Sequence, residues 1–177
     1  QKPLNILVLG GSLGARKLNE IVPDTFAMIH SVNVVHQTGL AMHEQVKACY
    51  LNHKRPVEVV AFIEDMAARY SWADLIICRS GAMTVSEVAA AGLPSIMIPF
   101  PFAIDDHQTA NAQYLVDVKA SILIAQSKLN AKRLAQEIEH LIDHPSQLEQ
   151  MGKAARQCAQ WDATKAVANI CIDEGSI

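Results

Sequence analysis

Short apolar runs alternate with stretches of helical spacing along almost the whole chain. Residues 4–9 (Leu-Asn-Ile-Leu-Val-Leu) read as a strand that stops at Gly10-Gly11, and residues 14–29 read as a helix. A strand is predicted over 32–36, a turn at Gln37-Thr38-Gly39, and a polar helix to about residue 52. Residues 57–62 are strand-like and 63–70 suit a short helix. Leu75-Ile76-Ile77-Cys78 is apolar throughout, as expected of a strand covered on both faces. Arg79-Ser80-Gly81 breaks it, residues 84–91 are helical, and Gly92-Leu93-Pro94 ends that helix. Residues 95–98 form the next strand, 107–118 the next helix and 121–124 a last short strand. Leu134, Ile138, Leu141 and Ile142 then line one face of a helix that Pro145 ends, with polar helix predicted on to Asp173.

About six strands separated by helices are βαβ units. They imply an α/β domain: a parallel sheet with helices on both faces, joined by right-handed crossovers. No repeat, low-complexity tract or linker divides residues 1–177, so a single domain is expected. Ligands in such sheets bind beyond the carboxyl ends of the strands. The loops to inspect are therefore 10–14, 36–39, 62–66, 79–84 and 99–108.

Composition narrows the choice. The 177 residues are 50% hydrophobic and 19% charged, with a formal net charge of −3. Such a chain is globular, and one of its size buries roughly 70% of its unfolded surface without staples. The charge disfavours a nucleic-acid partner, which wants a basic face. No apolar run reaches the ~18 residues of a membrane span, and no signal peptide is read at the start. Cys49, Cys78, Cys158 and Cys171 form no C-x-x-C pair, which fits a reducing cytoplasm; Cys78 is expected to be a buried thiol. The chain opens on Gln1, so a fragment or processed piece is expected.

Three loops can carry chemistry. In Gly10-Gly11-Ser12-Leu13-Gly14-Ala15-Arg16, glycines allow close backbone approach, and the helix behind them presents unpaired N–H groups to an anion such as a diphosphate. The dinucleotide fingerprint G-x-G-x-x-G matches at two of three positions, because position 9 is Leu, and no Walker lysine follows. A tight strand-to-helix turn would use the same residues. So would a G-x-S-x-G nucleophile elbow, but Ser12 follows the first strand of the chain. Asp105 or Asp106 with His107, neighbours in one turn, cannot readily both reach it.

In the second loop, Thr84-x-x-Glu87 has the spacing of a capping box, in which Glu87 returns to a backbone N–H. Alternatively, this helix amino end faces the glycine loop across the sheet, and Glu87 accepts from two vicinal ribose hydroxyls. Spacing alone leaves both readings open. In the third loop, Pro99 and Pro101 stiffen the approach to a helix that Asp106 is expected to cap. There the Gln108 amide can donate to and accept from sugar hydroxyls. Asp105, Asp106 and His107 point apart, and His140 with His144 lacks a third ligand, so no metal site is expected.

Taken in this order, GGSLGAR, FIEDMAARYSWADLIICRSGAMTVSEVAAAGLPSIMIPFP and DDHQTANA resemble the MurG family. These are bacterial UDP-N-acetylglucosamine–muramyl-pentapeptide pyrophosphoryl-undecaprenol N-acetylglucosaminyltransferases. The resemblance covers nearly the whole chain but only the carboxyl-terminal half of such an enzyme. It implies one of the two Rossmann-like halves of a GT-B fold, the half that binds the sugar nucleotide. Carried over by motif, Gly11, Ser12 and Thr84 meet the diphosphate. Phe62, Ile63 and Met66 hold the uracil, and Glu87 takes the ribose hydroxyls. Ala82 and Met83 line the sugar side, and Gln108 recognises N-acetylglucosamine. His107 stands where some relatives carry a second Gln, and Leu13 replaces a common Gln and is assigned no role.

The implied reaction transfers N-acetylglucosamine from UDP-N-acetylglucosamine to lipid I, giving lipid II, with inversion at the anomeric carbon. No Asp-x-Asp signature is present, and neither metal nor cofactor is implied. The catalytic base, the lipid I site and the membrane contact at the inner face of the bacterial cell membrane belong to the amino-terminal half. The first alternative is a separate donor subunit that needs an acceptor-binding partner chain. The second is a non-catalytic dinucleotide-binding module, disfavoured by Leu9 and by the lack of an acid ending the second strand (Val35-His36-Gln37).

Overall fold

The computed structural model describes residues 2–10, 15–52, 57–101 and 106–159. Strands β1 (Leu4–Leu9), β2 (Val32–Gln37), β3 (Val57–Val60), β4 (Leu75–Cys78), β5 (Ser95–Met97) and β6 (Ser121–Leu123) form one sheet in the order β3-β2-β1-β4-β5-β6. Every pairing is parallel. Helices α1 (Arg16–Met28), α2 (His43–Asn52), α3 (Met66–Trp72), α4 (Ala82–Ala91), α5 (His107–Val116), α6 (Ala131–Asp143) and α7 (Pro145–Gln157) connect and follow them. The predicted α/β sheet is thus the observed one. Among the described residues, no helix is long and apolar enough to cross a membrane.

Period-two alternation sorts the strand side chains between the two faces. Ile6, Val8, Val34, Ile77 and Ile96 pack with Leu18, Val22 and Phe26 of α1 and with Leu134, Ile138 and Leu141 of α6. Leu7, Leu9, Val35, Ile76, Cys78 and Met97 pack with Tyr70 of α3, Val85, Val88 and Ala89 of α4, and Ala112 and Leu115 of α5. Each face is apolar because each is covered. This is why β4 shows no polar alternation at all, and why burial pushes the Cys78 thiol up to about 12.

Local chemistry sets the helix ends. The Asn130 side chain accepts from the Arg133 N–H at 2.9 Å to start α6, and Pro145 stands at the head of α7, where no N–H is needed. Gly92 ends α4 at φ +67°, a left-handed cap; a Cβ there would lie 2.8 Å from Arg156 Nε. Gly152 is equally constrained, because α7 passes so close that a Cβ would meet the Gly92 carbonyl at 2.9 Å. Arg156 Nη2 then donates to the Ala91 carbonyl at 3.0 Å, holding α7 across the end of α4.

Several boundaries differ from the predicted ones. β3 ends at Val60 and α3 begins at Met66, because the Asp65 carboxylate accepts from the Ala68 N–H at 2.9 Å and so fixes the helix start there. α4 begins at Ala82, two residues before the predicted Thr84. The helix predicted up to Asp173 is seen as α7 to Gln157; residues 160–177 lie outside the described residues.

Candidate functional site

The chain runs outward from β1 through β2 to β3, then returns to place β4 on the other side of β1. The connection therefore reverses between β1 and β4, and open α/β sheets form their ligand crevice at such a reversal. Leu9 and Cys78, the last residues of these strands, are register partners. Gly10 and Arg79, which follow them, thus leave the sheet side by side, one inter-strand spacing of about 4.8 Å apart. Each leads into a helix of ten or more residues, α1 and α4. Their cap positions are Ala15 and Gly81, neither of which carries a side-chain acceptor. The first-turn N–H groups of both helices and their positive dipole ends therefore meet at one rim. Gly11, Ser12, Leu13 and Gly14 lie outside the described residues.

The capping-box reading of Thr84 and Glu87 does not hold. With Gly81 at the cap, Thr84 is the third helical residue, and Glu87 sits in the second turn rather than the first. The Glu87 carboxylate instead accepts from the Tyr70 hydroxyl at 2.8 Å. Ala82, Met83 and Glu87 are exposed at the rim, and Thr84 is half-buried. The segment before α3 divides similarly: Phe62 is 65% exposed, Ile63 is buried and Met66 is half-buried. Phe62 therefore offers an aromatic face at the rim, while Ile63 anchors its segment to the core.

The third loop is tied to the second. Ser80 Oγ donates to the Gln108 carbonyl at 2.8 Å, Asn111 Nδ2 donates to the Ser80 carbonyl at 3.1 Å, and Gln108 Oε1 accepts from the Phe100 N–H at 2.9 Å. Gln108 is thus tied into the loop at two points: its backbone carbonyl accepts from Ser80 and its side-chain oxygen from Phe100. Asp106 stands at the predicted cap position, but at φ +51° its carboxylate accepts from Thr109 Oγ1 at 2.7 Å rather than from a backbone N–H. His107 is exposed, and Asp105 lies outside the described residues.

Sequence reasoning passed over three supports. Arg79 Nη1 donates to the carbonyls of Ile98 (3.0 Å) and Pro99 (3.1 Å), and Nη2 donates to Gln126 Oε1 at 2.6 Å, so one guanidinium ties together the ends of β4, β5 and β6. The Phe100 ring lies beneath it at 5.5 Å. A cation directly after a wholly apolar strand was the available signal. Tyr70 is the second support. The third is a buried chain between α1, β2 and α2. His36 Nδ1 meets the Tyr50 hydroxyl at 2.9 Å and His36 Nε2 meets Asn19 Oδ1 at 3.1 Å, while Asn19 Nδ2 donates to the Thr38 carbonyl at 2.8 Å. It joins the first turns of α1 to the end of β2.

Other readings find less in the geometry. β1 is central in space although first in the chain, so chain position does not argue against a nucleophile elbow; Ser12 and Asp105 lie outside the described residues, and Asp106 accepts from Thr109 Oγ1. His140 and His144 are engaged locally, His144 Nδ1 with the His140 carbonyl (2.7 Å) and His140 Nε2 with Gln147 Oε1 (3.1 Å). Among the described residues, no three His, Cys, Asp or Glu are grouped to hold a metal ion. A cavity of about 560 Å³ lies at the opposite end of the sheet, lined by Lys2, Leu4, His30, Ser31 and Asp143 among others.

A parallel Rossmann-like sheet with two helix amino ends at its reversal point is the architecture of one half of a GT-B glycosyltransferase. A model of the glycosyltransferase family 28 C-terminal domain matches residues 5–170, and the chain belongs to that family. It is 52% identical over 172 residues to a UDP-N-acetylglucosamine–N-acetylmuramyl-(pentapeptide) pyrophosphoryl-undecaprenol N-acetylglucosamine transferase of Methylococcus capsulatus, covering 96% of this chain and 49% of the relative. The transferase of that name from Shewanella denitrificans is 49% identical over 175 residues, covering 96% and 48%. The crystal structure of Acinetobacter baumannii MurG superposes with a TM-score of 0.90 at 44% identity, covering 96% of this chain and 50% of that one. The resemblance read from the three loops thus stands for the C-terminal domain. The chain spans about half the length of the curated relatives it matches.

Proposed function

We propose that this chain is the donor-binding domain of an inverting transferase that moves N-acetylglucosamine from UDP-N-acetylglucosamine to lipid I, forming lipid II. The adjacent amino ends of α1 and α4 at the β1/β4 reversal carry this reading. As the glycosidic bond breaks, negative charge grows on the β-phosphate of the leaving UDP. Fixed N–H donors and two dipole ends stabilise that charge more than they stabilise the intact donor. Gly11 and Ser12 supply the first set of contacts, and Thr84 with the first turn of α4 supplies the second. Backbone groups at Phe62 and Ile63, with the Met66 side chain, hold the uracil, and Glu87 accepts from the ribose hydroxyls. Ala82 and Met83 flank the sugar; the Gln108 amide and His107 reach its hydroxyls.

The rest of the relatives' length is the place for the lipid I site, the catalytic base and the contact with the inner face of the cell membrane. In isolation this chain binds donor without transferring it. A dinucleotide module is the weaker reading: an acid at the end of β2 would hold the adenosine ribose, but the residues there are His36 and Gln37, both buried.

Calorimetric titration decides between the two. UDP-N-acetylglucosamine is expected to bind the chain with a stoichiometry of about one, and NAD to give no saturable heat. Equal or tighter NAD binding would overturn the proposal.

A further inference from the structure

Glu87 is exposed and belongs to a flexible residue type, yet one of its oxygens is already held. Oε2 accepts from the Tyr70 hydroxyl at 2.8 Å. Tyr70 is only 9% exposed, its ring set in the core among Ile63, Val85, Val88 and Ala89. Burial first, then the Glu87 bond and charge, push its hydroxyl well above the ordinary phenol range, so it remains a donor at neutral pH. α3 is itself held at both sides: the Asp65 carboxylate caps its start at the Ala68 N–H, and Arg69 pairs with Glu58 of β3. Tyr70 lies one turn beyond Met66, so a single anchored helix bears on the base segment at its start and on the Glu87 carboxylate at its end.

We infer that Tyr70 is a positioning residue that pre-sets the Glu87 carboxylate for a vicinal diol, and so tunes discrimination between ribonucleotide and deoxyribonucleotide donors; this rests on the reading of Glu87 as the ribose acceptor. A carboxylate has room for about four hydrogen bonds. One from Tyr70 leaves enough for two hydroxyls and fixes the plane in which they must approach. Without it the side chain must be ordered by the ligand, and that entropy cost falls on binding. A site arranged around ligand hydroxyls also rejects analogues that lack them.

The test compares UDP with 2′,3′-dideoxy-UDP on the unaltered chain, Tyr70→Phe, Glu87→Ala and the double variant, by calorimetry with a thermal melt of each. Tyr70→Phe keeps the buried ring and releases only an exposed carboxylate to water, so it is expected to fold. It should weaken UDP about fivefold while changing dideoxy-UDP less than about twofold, and it should add no loss once Glu87 is Ala. Equal loss for both ligands, which marks a packing role, or no loss for either, overturns the inference. If Glu87→Ala also fails to separate the two ligands, the ribose reading itself falls; if it separates them and Tyr70→Phe does not, only the inference falls.

Discussion

Acidification from pH 6.5 towards 3 is expected to remove folding stability through His36, on the order of 1 kcal/mol per pH unit. The ring is fully buried, and burial lowers its pKa from 6.5 to about 3. Above pH 6.5 the ring is neutral in both folded and unfolded chain. Between pH 6.5 and about 3 the unfolded chain takes a proton that the folded chain refuses, so stability falls as pH falls. Below about 3 both states are charged and this contribution levels off. His36→Gln removes the titration. It also disturbs the partners of His36, the Tyr50 hydroxyl and Asn19 Oδ1, at about 1–3 kcal/mol for each one left unsatisfied. The variant should be less stable at pH 7 yet flatter in acid. Urea unfolding of both chains from pH 4 to 8 checks this, and parallel slopes would contradict it. The consequence reaches the site, because Asn19 lies near the amino end of α1, and what loosens His36 loosens that helix.

Glu87→Ala is expected to weaken UDP binding by at least roughly 10- to 100-fold, the value of one hydrogen bond to a charged group, about 1.5–3 kcal/mol. The melting temperature should shift by no more than a few degrees. Glu87 is exposed, contributes nothing to the start of α4, and has the Tyr70 hydroxyl as its described partner. Calorimetry and a thermal melt on the same preparation separate affinity from stability. A large fall in melting temperature with unchanged UDP affinity would return Glu87 to a purely structural role.

Much of this architecture is legible along the chain, and the reasons are local. Leu75-Ile76-Ile77-Cys78 declares a strand covered on both faces, and Leu134, Ile138 and Leu141 declare the buried stripe of α6. Strand order is not local. Period two says that β1 has two apolar faces, but not that β4 rather than β3 lies beside it, and that neighbour creates the crevice. The start of α4 misleads for a chemical reason: Thr84-x-x-Glu87 has cap spacing, yet Gly81 takes the cap and two helical residues precede Thr84. Tyr70 and His36 read as an aromatic in a helix and a polar residue in a strand. Their meaning depends on partners 17 and 14 to 17 residues away, which only packing brings together. The glycine loop is legible as a motif, while Gly11 and Ser12 lie outside the described residues.

The most direct measurement follows backbone amide resonances while the chain is titrated with UDP-N-acetylglucosamine. The expected shifts gather at one rim: Gly10 and Ala15–Lys17, Ile63–Met66, Gly81–Glu87, and His107 with Gln108. Shifts gathered instead around Lys2, His30, Ser31 and Asp143, at the amino ends of the strands, would place the nucleotide on the wrong side of the sheet and contradict the account.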